Sequence, residues 1–143
     1  MGGSDRRRVT APAAAGPSAD FIARGQLAPC PSSPNCVSSL ATDEGHRITP
    51  LAIPGDAAAQ MAALLAVVGD MPRTEIQAQT DNYLWVVFTS RLLRFRDDVE
   101  FLLGPGGAVQ VRSASRLGYS DLGVNRKRVE TIRAKLTAAV AVK

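Results

Sequence analysis

Aromatic side chains are scarce, at 5% of the 143 residues, so few rings are available on which bases could stack. Charge of one sign is not concentrated either: 17 Lys and Arg stand against 13 Asp and Glu, a formal net charge of +4. That balance favours contact with anions but lacks the clustered basic face that nucleic acid requires, so nucleic acid is not an expected partner. No apolar run approaches the ~20 residues that span a bilayer, so no transmembrane segment is expected. The first twenty residues, MGGSDRRRVTAPAAAGPSAD, begin basic but have no apolar centre and do not read as a secretory signal. A cytoplasmic location is therefore expected of the chain as given, with export or organelle import left open. One histidine and two cysteines fall short of the four ligands of a structural zinc site, and no cofactor is expected.

What is present is enough for one folded unit. A chain of this length buries roughly 70% of its extended surface and needs no staple to build a core. Residues 1–20 hold almost no large apolar side chains and are expected to form a disordered tail. Residues 21–143 are expected to form a single α+β domain, with Phe21, Ile22 and Leu27 docking on it. Arg47–Ile53 reads as a short edge strand, because Pro50 cannot donate to a ladder. Asp56–Gly69 reads as a helix, with Asp56 or Gly55 as cap and Met61, Leu64, Leu65 and Val68 on one face. Four strands follow: Arg73–Thr80, Tyr83–Arg91, Phe95–Leu103 and Val109–Arg116. The last two are joined by Gly104-Pro105-Gly106-Gly107, a hairpin loop. A second helix covers Val124–Val140, with Val129, Ile132, Leu136 and Val140 as its buried stripe. The order β-α-β-β-β-β-α predicts two layers: an antiparallel sheet of about five strands with two helices on one face. Its topology is like that of the TATA-binding protein, an analogy that carries no function.

Register in the last hairpin follows from pattern, since a slip of one residue swaps the two faces. Pairing Phe101 with Val111 and Leu103 with Val109 keeps apolar side chains together. The opposite face then sets Glu100 against Arg112, Asp98 against Ala114 and Arg96 against Arg116. Arg112 and Arg116 fall on one face roughly 13 Å apart. Ser113 and Ser115 point the other way. Gly118 and Gly123 allow tight turns, and Ser120, Asp121 or Asn125 can cap the helix. Arg126 and Arg128 sit in its first turn, where positive charge opposes the helix dipole. A carboxylate such as Asp121, Asp97 or Asp98, or a bound anion, is expected to offset them.

The candidate ligand-binding set is therefore Arg112, Ser113, Ser115, Arg116, Asp121, Asn125 and Arg126. Guanidinium forks and free helix N–H groups suit a phosphate or carboxylate. The competing reading is a structural network in which Arg112 and Arg116 pair with Glu100, Asp98 or Asp97. Asp98 and Glu100 share a strand face and could share a divalent cation, although nearby arginines compete for them. Cys30 and Cys36 admit three readings: free thiols, a short-loop disulfide, or part of a metal site. The lack of a signal peptide favours thiols. Cys36 with His46 as base would be the nucleophile pair of a thiol enzyme or hydrolase.

Two blocks carry a family resemblance. CPSSPNCVSS at Cys30–Ser39 and DDVEF…VRSASRLGYSDLGVNRKRVETIR at Asp97–Arg133 resemble the signature blocks of the domain of unknown function 1499 family. The resemblance spans about Pro29 to Leu136. It implies no established activity, cofactor or catalytic residue. Some similar proteins look membrane-anchored or exported, which in them favours a Cys30–Cys36 disulfide; this chain lacks their apolar N-terminal segment. The leading expectation is a non-enzymatic binding domain for a small anionic ligand or a protein carboxylate. The alternatives are the thiol enzyme or hydrolase, and a structural or protein-interaction domain whose arginines are paired internally.

Overall fold

A computed structural model describes residues 16–142. The chain is α+β. Its antiparallel sheet has six strands: β1 (Cys36–Ser38), β2 (Leu51–Ala52), β3 (Thr74–Gln79), β4 (Tyr83–Thr89), β5 (Arg96–Leu103) and β6 (Ala108–Ser115). Two helices, α1 (Ala57–Gly69) and α2 (Val124–Val142), complete it. The sheet order is β1-β6-β5-β4-β3. β2 lies end to end with β1 along the outer edge of β6, pairing Leu51 with Val109 while β1 pairs Cys36 with Ala114.

The β5–β6 register is the one the hydrophobic pattern predicts: Phe101 faces Val111, Leu103 faces Val109, Glu100 faces Arg112 and Asp98 faces Ala114. The backbone N–H of Arg116 continues the ladder to the carbonyl of Arg96. Asp56 caps α1, accepting from the N–H of Ala59 at 2.9 Å. Met61, Leu64, Val67 and Val68 of α1 and Val129, Ile132 and Leu136 of α2 pack on Leu84, Val86, Val99, Phe101, Val109 and Val111. This is the main core, on the helical face of the sheet.

Four details depart from the expected layout. The Cys30–Ser39 loop contains a strand, β1, whose three residues are all buried. The expected strand over Arg47–Ile53 shrinks to β2, because Pro50 offers no N–H and only Arg47 makes an isolated bridge, to Ser38. Val140 is half exposed rather than part of the stripe, because it lines an open groove with Ala59, Ala62 and Ala66 of α1. Finally, residues 16–20 are packed as turns rather than free, and Ser18 is fully buried. The rest of the expected tail, residues 1–15, lies outside the described residues.

The N-terminal segment covers the second sheet face. Leu27 packs with Ala78, Tyr83 and Leu102, and Ile22 and Trp85 lie against them. Gly16 sits so close to Trp85 that a Cβ there would come within 2.8 Å of the ring. The sheet is thus covered on both sides around β4–β6, which explains why Tyr83–Thr89 is apolar in both directions.

Candidate functional site

The alternation along β5 and β6 sends charged side chains to the second face and hydroxyls to the helical face. On the second face Glu100 is completely buried. It accepts from the Tyr83 hydroxyl and from the backbone N–H of Ser18 at 3.1 Å. Arg112 lies opposite, with Nη1 3.4 Å from Oε1 of Glu100 and Nη2 donating to the carbonyl of Pro29 at 3.3 Å. Ser18 also accepts the N–H of Ala28 on its hydroxyl, so one serine ties both ends of the covering segment to the sheet. Burial, and next the Glu100 charge, push the Tyr83 hydroxyl far above its usual range, so it remains a donor. Further along the strand, Arg116 grips Asp98 with two bonds of 3.0 Å, and Trp85 donates to the same carboxylate at 2.8 Å.

On the helical face the sequence places a second network. The Ser113 hydroxyl donates to Oδ1 of Asn125 at 2.6 Å. Nδ2 of Asn125 donates to Asp121 at 2.6 Å and to Ser115 at 2.9 Å, and lies 3.3 Å from the carbonyl of Asn35. Asp121 also takes the backbone N–H groups of Gly123 and Asn125. Burial would raise the Asp121 carboxyl, but the bonds from Asn125 and Gly123 outweigh it and hold the group below the usual carboxylate range. Asp121 therefore occupies the helix N-terminus that an anion would otherwise seek.

The first-turn arginines are also engaged. Arg128 reaches Asp97 at 2.8 Å and Oδ1 of Asn125 at 2.9 Å, with its guanidinium carbon 4.9 Å from the centre of the Phe88 ring. Arg126 donates to the carbonyls of Arg47 and Gly45. These contacts are the compensation that cations near a helix N-terminus call for.

The seven candidate residues do not meet in one cleft. Arg112 and Arg116 lie on the second face, whereas Ser113, Ser115 and Asn125 lie on the helical face, with the sheet between them. Asp121 and Arg126 join the helical group. A cleft of about 430 Å³ does open beside the covering segment, lined by Phe21, Leu27, Pro29, Cys30, Ser38 and Asp43 among others. Arg112 does not line it but donates to Pro29, which does, and among the described residues its buried Nε has no partner. Tyr83, which anchors the second-face network through Glu100, and Asp97, which anchors the helical-face network through Arg128, were not among the candidates. The adjacent Asp97-Asp98 pair was the available signal, because neighbouring strand positions must serve opposite faces.

Cys30 and Cys36 form a disulfide, with their Cα atoms 5.7 Å apart. This corrects the expectation of free thiols: the turn through Pro31 and Pro34 folds the two cysteines together. No thiol remains for a Cys36–His46 pair. His46 instead bonds Asp43 through Nδ1 at 2.6 Å and the Ser33 carbonyl through Nε2 at 2.8 Å, bracing the disulfide loop. Asp98 and Glu100 are committed to arginines, and no cluster of three metal-ligating side chains is found among the described residues. No described helix is long and apolar enough to cross a membrane.

No curated protein matches the chain. The family model described as Protein of unknown function (DUF1499) matches residues 26–136, most of the sequence and all of both networks except Ser18, and the chain belongs to that family.

Proposed function

We propose that the chain is a non-enzymatic interaction domain, and that its arginine-rich strand, turn and helix start form an internal framework. One observation carries this reading: Arg112, Arg116, Arg126 and Arg128 each donate to acceptors of the chain itself, on two opposite sides of the sheet. A guanidinium already bonded to a carboxylate offers an external anion little, since that anion must displace a partner held in place by the fold. The Cys30–Cys36 disulfide favours an oxidising compartment over the cytoplasm.

The anion-binding alternative draws on the Nε of Arg112, which has no partner among the described residues. Thermal unfolding with millimolar phosphate, a nucleoside triphosphate and citrate separates the two. A ligand at a hundredfold excess over its Kd would add about 2.7 kcal/mol of stability. We expect no such gain in the wild-type chain. A rise in the unfolding midpoint that disappears in Arg112→Ala would overturn the framework reading.

A further inference from the structure

The large apolar side chains that stand more than half exposed among the described residues are Leu92, Leu93, Phe95, Leu117, Tyr119 and Leu122. All six lie in two loops, the β4–β5 loop and the β6–α2 loop. These loops leave adjacent strands at one end of the sheet, and the Arg116 N–H bonded to the Arg96 carbonyl at 3.0 Å joins their bases. Leu92 and Leu122 are 83% and 93% exposed. Scattered exposed leucines need no explanation, but six large apolar side chains gathered on two neighbouring loops at one end of the sheet mark an interaction surface.

Around these side chains basic groups outnumber acidic ones, and one of the basic groups, Arg116, is paired with Asp98. Residues 90–96 and 116–127 carry six basic side chains and one acidic one. The acid, Asp121, is turned inward as the helix cap. Arg91, Arg94 and Arg96 alternate with Leu92-Leu93 and Phe95, and all three are exposed. None of them forms an ion pair among the described residues. The backbone holds the loops in this presentation. Arg94 and Leu122 have φ of 61° and 55°, a left-handed conformation that side chains other than Gly and Asn rarely adopt. Bonds from the Leu122 and Gly123 N–H groups to Ser120 and Asp121 fix the second turn and leave the Leu122 side chain outside. Backbone strain of this kind gathers where a surface is used.

We propose that this end of the molecule docks on an anionic lipid bilayer surface. Leucine, phenylalanine and tyrosine tips would enter the boundary between headgroups and acyl chains. Arg91, Arg94, Arg96 and Lys127 would stay at the level of the lipid phosphates. Charge complementarity selects the anionic surface. Protruding tips on two separate loops select a deformable liquid, because a protein partner would need a matching concavity for each. The inference rests on reading the chain as an interaction domain and names its partner.

The test is sedimentation of the full chain with phosphatidylcholine vesicles, with and without about 30 mol % phosphatidylserine, at low and high salt. Binding to the anionic vesicles alone, weakened by salt, is expected. Leu92→Ser with Leu93→Ser should weaken it about tenfold or more, and Arg94→Ala about fivefold. These side chains are exposed, so the variants should unfold like the wild type, which is checked by thermal melting. A triple Arg6→Ala, Arg7→Ala, Arg8→Ala variant should keep the leucine dependence. Wild type left in the supernatant overturns the proposal. So does binding that ignores the loop leucines or depends only on Arg6–Arg8. Loop-dependent self-association without vesicle binding would assign the surface to a second copy and equally overturn it. Soluble phosphate does not probe this surface, so failure here leaves the framework reading standing, and the reverse also holds.

Discussion

Glu100 is the residue on which the second sheet face depends. It is a fully buried carboxylate whose acceptor sites are filled by Tyr83, Ser18 and Arg112. Removing one partner of a buried ion pair strands the other charge, so Glu100→Ala should cost about 3–5 kcal/mol in urea unfolding. Replacing Glu100 and Arg112 together with apolar side chains of similar volume should cost much less. His46 makes a separate, pH-dependent contribution. Its bond to the Ser33 carbonyl raises its pKa; burial opposes this, and Asp43 adds to the rise. The folded value therefore lies above the ordinary 6.5. The stabilisation is full below 6.5 and fades as pH rises through the folded value. Stability measured across this range should fall with pH, and His46→Gln should flatten that slope.

At the scale of elements, the edge of the sheet is the part that oxidation controls. Cys36 opens β1 and is bonded to Cys30, so the disulfide ties the start of this edge strand to the segment before it. The closed loop is short, and its entropy alone predicts a loss of roughly 2 kcal/mol on reduction. Urea unfolding with and without reductant measures it. Amide exchange at Ser38 and Ser39, which donate to the carbonyls of His46 and Val111, should rise first. Much of this layer was legible in the sequence. The β5–β6 register followed from Phe101, Leu103, Val109 and Val111, because one face is buried and a slip would expose it. β1 was not legible, since Cys36-Val37-Ser38 is too short to show a period and lies among turn residues. The disulfide was left open because two cysteines at that spacing suit thiols and a bridge equally.

At the scale of the molecule, one sheet carries two polar networks that cannot reach each other. The arginines and carboxylates could be paired from the sequence. Their separation could be read from alternation alone. What could not be read was the cover on the second face: residues 16–20 have little apolar character, yet Ser18 is buried by its hydrogen bonds rather than by hydrophobicity. That cover turns an apparently open basic face into an enclosed ion pair. The guanidinium groups themselves report whether it is enclosed. Their side-chain N–H resonances in Arg112 and Arg128, the two whose side chains are nearly buried, can be followed by nuclear magnetic resonance while inorganic phosphate is titrated into the full chain. If the networks are internal, these resonances exchange slowly with water and do not move through millimolar phosphate. A saturable shift shared by both would show that phosphate displaces Glu100 and Asp97, and would contradict the framework.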